Sequence, residues 1–253
     1  MIHYKSAAEL DRMRRSGRIL ADTILRVMDA VAPGQTTADL DAVAEEHILE
    51  AGAVSNFKGY RGTYPATICT SVNDQIVHGI PSAARVLAEG DLLSLDFGCI
   101  WEGFHSDSAV SLFVGGVAPS AEAARLVEVT EAALDAAIAA IQPGARLTDI
   151  GAAIEGVATP AGLGIVREYG GHGIGRAMHE DPFIQNYGPA GRGPALKPGL
   201  TIAVEPMLNL GGEETKLLAD GWTVVTADGA LSAHFEHTVA VTEEGHEVLT
   251  ARR

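Results

Sequence analysis

Two aspartates stand where a chain usually buries apolar side chains. The stretch "SLDFGCIWEGFHSDSAV", residues 94–110, reads as two apolar strands around a tight turn, with Asp96 in the first and Asp107 in the second. If the turn centres between Trp101 and Glu102, the two side chains are directly opposed, roughly 5 Å apart at Cβ. Carboxylates that close repel, and an unpaired charge in a core costs several kcal/mol. No Lys or Arg lies between Arg85 and Arg125 to neutralise them. A metal ion is the simplest remedy. The second half of the chain adds donors. Glu205 ends the apolar run of "TIAVEPM" (201–207), Glu236 precedes that of "SAHFEHTVAVT" (232–242), and His172 lies in "YGGHGIGRAMHEDP" (169–182).

Four carboxylates are balanced by two divalent cations, with neutral His172 and a hydroxide completing a dinuclear site. Oxygen donors with one imidazole and no thiolate suit manganese, iron, cobalt or zinc, and suit a lone structural zinc poorly. Two such ions, roughly 3.5–4 Å apart, hold a bridging water, lower its pKa and polarise a carbonyl, which is hydrolytic chemistry. Two more histidines sit beside Gly and Pro: His78 in "NDQIVHGIP" (73–81) and His179, seven residues after His172. They could donate hydrogen bonds to a substrate carbonyl or stabilise a tetrahedral oxyanion. "GGHGIG" has neither a preceding strand nor the spacing of a phosphate loop.

The elements that must position these groups are legible from periodicity. Residues 6–30 show helical spacing, with Ser6 as N-cap and Glu9 as its capping-box partner. "APGQTT" (32–37) ends that helix, and a second runs to about Ala51. Strands are predicted at 66–72, 92–100 and 104–114, then an Ala-rich helix at 120–141. "QPGARLTD" (142–149) precedes another helix, and strands return at 200–206, 222–226 and 234–242. The order nearly repeats: Pro33 and Pro143, and Asp39 and Asp149, are 110 apart, while Gly90 and Gly199, and Asp96 and Glu205, are 109 apart. Two independent landmarks whose offsets agree to within one residue indicate an internal duplication. The expected fold is α+β: a single domain over 1–253, in two αα-ββ halves (about 1–118 and 119–253), with a curved antiparallel sheet inside and helices outside.

Composition narrows the function classes. A net charge of −15 argues against DNA binding. The basic residues Lys5, Arg12, Arg14, Arg15 and Arg18 form one local exception, read as a solvated helix face or a docking patch for an anionic partner. No apolar run reaches the roughly 18 residues of a membrane span, and the start "MIHYKSAAELDRMRR" lacks a secretory core. Two cysteines, Cys69 and Cys99, make no disulfide framework, so a cytoplasmic protein is expected.

Taken in order, "HGIP", "LDFG…FHSD", "GHGIGRAMHE", "VEPM" and "SAHFEHT" resemble the methionine aminopeptidases of the pita-bread metallopeptidase family M24, over essentially the whole chain. The resemblance implies five metal ligands, Asp96, Asp107, His172, Glu205 and Glu236, with Asp107 and Glu236 bridging two divalent ions. It implies substrate contacts from His78 and His179, and a proton-shuttling role for Glu205. Tyr64, Cys69 and Trp222 match pocket positions, with Cys69 a wall and not a nucleophile. Met178 stands where many relatives carry an aromatic, and a flexible thioether there reshapes the pocket. "GYRGTYP" (59–65) is about one residue longer than in some relatives, so Tyr60 receives no pocket role. A loop-bound monovalent cation would fall near Asn73, Gln75 and Ser232.

The short spacing between Glu205 and Glu236 matches the bacterial-style type I enzymes, which lack a helical insert there. The implied reaction removes the initiator methionine from N-terminal Met peptides and nascent chains when residue two is small. The resemblance also suggests a monomer and a ribosome contact through the basic N-terminal helix. An Xaa-Pro peptidase of the same fold is disfavoured, because those relatives carry a large additional N-terminal domain. A non-catalytic binding protein is disfavoured because all five ligands are retained.

Overall fold

A computed structural model of the chain describes residues 1–252. Four long helices are present: α1 (Ala7–Ala30), α2 (Thr37–Glu50), α3 (Ala121–Ala139) and α4 (Leu147–Ala161). Each turns its apolar spacing inward. In α1, the side chains of Ile19, Leu20, Ile24 and Val27 are all buried in the main core. The α1 start is closed as predicted, Ser6 N donating to Glu9 Oε2 at 2.8 Å. α1 packs on α2, and α3 on α4; between the pairs lie the strands, every one of them paired antiparallel. This is the expected α+β arrangement, helices outside and sheet inside. No helix among the described residues is long and apolar enough to cross a membrane.

The duplication appears in the hydrogen bonds. Gly34 N donates to Leu87 O and Leu87 N to Gln35 O, both at 2.8 Å. In the second half Gly144 N donates to Leu196 O and Leu196 N to Ala145 O, again both at 2.8 Å. Asp39 caps the backbone N–H of Thr36 at 2.9 Å, and Asp149 that of Arg146 at 2.7 Å.

Two sequence expectations need correction. First, strand Leu92–Trp101 pairs with Phe104–Phe113 so that Trp101 faces Phe104, and the turn is Glu102–Gly103. Both turn residues have positive φ, +47° and +78°, the backbone that best matches the twist of a two-residue hairpin. That shifts the register. Asp96 faces Ala109 and Asp107 faces Gly98, so the aspartates are diagonal neighbours on one face and are not directly opposed. Diagonal partners are roughly 7–8 Å apart, which leaves space between the carboxylates for a third group.

Second, the predicted strand 234–242 is broken and the predicted strand 200–206 stops early, at Val204. Thr201–Val204 pairs with His237–Val241, and Met207–Asn209 pairs with Ser232–His234. Between them Glu205–Pro206 and Phe235–Glu236 lie outside the ladders. Pro206 has no N–H to give, and the step is bridged by Phe235 N donating to Pro206 O at 3.3 Å. Glu236 instead exchanges backbone bonds with Ala109 of the first half, at 3.0 and 3.3 Å.

Candidate active site

Those local features bring the acidic groups to one place. A cavity of about 230 Å³ is lined by Asp96, Asp107, His172, Glu205 and Glu236, together with His78 and His179. Ligand atoms of Asp107, His172 and Glu236 all lie within 4.8 Å of one another. Oε1 of Glu205 lies 3.5 Å from Nε2 of His172. Asp96 is 9 % exposed, Asp107 5 % and Glu236 2 %.

His172 comes from a strand that periodicity missed. Gly171–Gly173 pairs on one side with Glu180–Ile184 and on the other with Thr201–Val204. The glycine-rich sequence looks like a loop, yet a Cβ at Gly171 would strike Ala203 O, and one at Gly173 would strike Asp181 O. Close backbone approach, and not flexibility, is what these glycines provide.

The electrostatics are one-sided. Burial pushes Asp96 up to about 7. Burial also drives Asp107 well above the carboxylate range, aided by the charges of Asp96 and Glu205. Glu205 and Glu236 rise for the same reasons, burial first and then the neighbouring acids. The imidazoles move the other way. Burial, then His179, pushes His172 down to about 4, and burial takes His78 to about 4. His179 is lowered by burial and by Arg61. Oδ1 of Asp96, Oδ1 of Asp107 and Oε1 of Glu236 are buried without a hydrogen-bond partner among the described residues. Orphaned carboxylate oxygens facing one cavity, beside neutral imidazole, are the donor set that divalent cations satisfy.

The sequence pattern of metallopeptidase family M24 matches residues 11–243. The chain belongs to metallopeptidase family M24. Methionine aminopeptidase 1 of Mycobacterium tuberculosis is 50 % identical over 256 residues, covering 99 % of this chain and 95 % of that protein. Methionine aminopeptidase 1 of Bacillus subtilis is 47 % identical over 250 residues, at 99 % of each. The crystal structure of methionine aminopeptidase from Thermotoga maritima superposes with a TM-score of 0.96 at 40 % identity, covering 99 % of both chains. The resemblance carried by the five motifs therefore holds, and this member of M24 is a metal-dependent hydrolase with the pita-bread fold.

Apart from Arg61, much of the rest of the cavity lining is apolar or aromatic. Tyr64, Cys69, Met178 and Trp222 all line it, and Phe57 joins them. Tyr64 and Trp222 pack edge to face with centroids 5.1 Å apart. Burial, then the charge of Asp96, raises the Cys69 thiol well above its usual range, which suits a wall and not a nucleophile. Tyr60 lines the cavity too, and sequence reasoning passed it over. Its hydroxyl lies 3.0 Å from Nδ1 of His179. The 59–65 loop turns through positive φ values at Gly59, Arg61 and Gly62, on either side of Tyr60; the two glycines were the signal available.

His78 is held at φ +61°, a strained conformation for a non-glycine residue. Its ring packs edge-on against Trp222, centroids 6.3 Å apart. Asn73, Gln75 and Ser232 lie outside the cavity lining. Ser232 N donates to Asn73 O at 3.0 Å. The side-chain oxygens of Asn73 and Gln75 already accept Leu92 N and Val72 N, both at 2.9 Å.

Most of the basic N-terminal cluster is paired within the molecule. Lys5 is buried against Glu180 at 2.7 Å, Arg14 binds Asp11 and Glu247, and Arg12 lies 3.7 Å from Glu102. Arg15 and Arg18 are exposed.

Proposed function

We propose that this chain removes N-terminal methionine from peptides and nascent chains whose second residue is small. The observation that carries the reading is that the acidic cluster and an apolar, thioether-sized wall share one cavity of about 230 Å³. The substrate's methionine side chain packs against Phe57, Tyr64, Cys69, Met178 and Trp222. Its scissile peptide then lies beside the acidic groups. Met178 in place of a flat ring gives the pocket a deformable wall.

Asp96, Asp107, His172, Glu205 and Glu236 would hold two divalent ions, with Asp107 and Glu236 shared between them; the oxygen-rich set accepts manganese, iron, cobalt or zinc. Bound there, such a pair supplies an activated water and a Lewis acid for the carbonyl. The chain's own residues do the rest. The Tyr60 hydroxyl lies 3.0 Å from Nδ1 of His179; with Tyr60 as the donor of that contact, the imidazole proton is on Nε2, where it can be donated to the scissile carbonyl oxygen as it gains negative charge. His78, kept neutral by burial, donates to a backbone carbonyl of the peptide and orients it. Glu205, in the same cluster, would take the proton given up by the attacking water and pass it to the departing amine nitrogen.

Asp96 and Asp107 come from residues 1–118, and His172, Glu205 and Glu236 from 119–253, so the whole chain is read as one catalytic unit. One chain supplies every group, which is consistent with action as a monomer. Nascent-chain substrates place the activity in the cytoplasm. Any ribosome contact through α1 would rest on Arg15 and Arg18, and would weaken as salt rises. The test is hydrolysis by manganese-loaded protein. Release of methionine from Met-Ala-Ser, with Ala-Pro left intact, is expected. The reverse preference would replace this reading with an Xaa-Pro peptidase.

A further inference from the structure

His234 has no part in the chemistry above, yet its surroundings are unusual for a core residue. It ends strand Ser232–His234 opposite Met207 and is 1 % exposed. Neither ring nitrogen has a hydrogen-bond partner among the described residues. Buried polar groups are normally paired, and an orphaned one is costly. The ring is not held by bonds of its own. The backbone places it, through Ser111, whose hydroxyl accepts His234 N and donates to His234 O, both at 2.9 Å.

The group facing this ring is Glu205. Nε2 of His234 lies 3.9 Å from Oε2 of Glu205. The other oxygen, Oε1, lies 3.5 Å from Nε2 of His172. The Glu205 carboxylate thus sits between two imidazoles, one inside the acidic cluster and one behind it. Its main chain is fixed as well, with Asn186 Nδ2 donating to Glu205 O at 3.0 Å.

We propose that His234 is a positioning residue for Glu205, its Nε2–H donating to Oε2 when Oε1 turns toward a divalent cation beside His172. The inference rests on reading Glu205 as a metal ligand. A carboxylate that gives one oxygen to a cation keeps lone pairs on the other, and in a buried site those need a donor. A neutral imidazole supplies one N–H without adding a positive charge beside the cation. The remaining gap closes by rotation about the terminal torsion of Glu205, which is soft. Partners of this kind orient a ligand without touching the metal, and their loss typically weakens metal binding by about 10- to 100-fold.

The test compares full-length wild type, His234→Leu and His234→Gln. Mn²⁺ affinity is read by titration calorimetry, and the melting temperature is read on the metal-free proteins. His234→Leu should bind Mn²⁺ about 10- to 100-fold more weakly. Its metal-free melting temperature should be unchanged or higher, because two unpaired nitrogens have left the core. His234→Gln, which keeps an N–H donor, should recover most of the affinity. A purely structural role would lower melting temperature and affinity together, and would make no distinction between Gln and Leu; either result overturns the proposal. If His234→Leu does not fold, His234→Met carries the same expectation. Wild-type protein that takes up no Mn²⁺ sinks the metal reading of the site and this inference with it. Unchanged affinity in His234→Leu sinks this inference alone.

Discussion

The entrances to α2 and α4 are built alike. The same paired backbone bonds at 2.8 Å close each one, and an aspartate at the same offset caps each first turn. The acidic groups of the two halves are delivered differently. Asp96 and Asp107 project from a continuous hairpin of two ten-residue strands. Glu205 and Glu236 come from the step where the second half's ladder is interrupted. Shorter side chains sit on the unbroken strands, and longer ones reach in from the break. Asp96 and Glu205 occupy equivalent places in the two halves, yet the strands that carry them are continuous in one half and interrupted in the other.

The largest effect is expected at Asp107, read as a carboxylate shared between the two ions. Asp107→Ala should abolish divalent binding and lower turnover of Met-Ala-Ser by about a thousandfold or more, read by metal content and by peptide hydrolysis. A fully metallated, active variant would contradict a shared ligand. A smaller effect is expected from a residue outside the ligand set. His179→Ala should keep its metal but lose more than about tenfold in turnover, an effect on the barrier of roughly 1.4 kcal/mol or more. Unchanged turnover would remove His179 from the mechanism.

Proton linkage separates site acids from scaffold acids. Burial raises Asp96 to about 7 and drives Asp107, Glu205 and Glu236 well above the usual carboxylate range. At neutral pH the metal-free site therefore holds protons that a cation must displace. Affinity for Mn²⁺ should climb as pH rises through about 7, by up to about tenfold per pH unit for each proton released. Proton release is measured by calorimetry in two buffers of different ionisation heat. The same raised values mean that the metal-free fold loses stability as pH rises through them. Asp39 and Asp149 carry the opposite sign, because hydrogen bonds from Thr36 and Arg146 hold them below the usual range. Asp39→Ala and Asp149→Ala should leave metal affinity untouched and lower Tm by similar small amounts, about 2 °C or less each. Unequal losses would show that the two entrances are alike in geometry only.

Much of this was legible in the sequence because chemistry-bearing residues interrupt apolar periodicity. Asp96, Asp107, Glu205 and Glu236 each break a strand pattern, and the Pro-Gly steps at 33 and 143 announce the repeat. What escaped was set by backbone geometry. A one-residue shift of the 102–103 turn moved Asp107 from opposite Asp96 to opposite Gly98. The strand around His172 is hidden because glycines there serve close approach. The breaks beside Pro206 and Glu236 depend on which strand each half pairs with, which no local pattern encodes. Tyr60 was lost because loop length alone does not say where a ring ends up.

The most direct test is a crystal soaked in manganese and measured at the manganese absorption edge. Anomalous density is expected in the cavity, in contact with carboxylate oxygens of Asp107 and Glu236 and with groups from both halves. Crystals free of anomalous density there, with these side chains turned to water, would contradict the metal reading of the site.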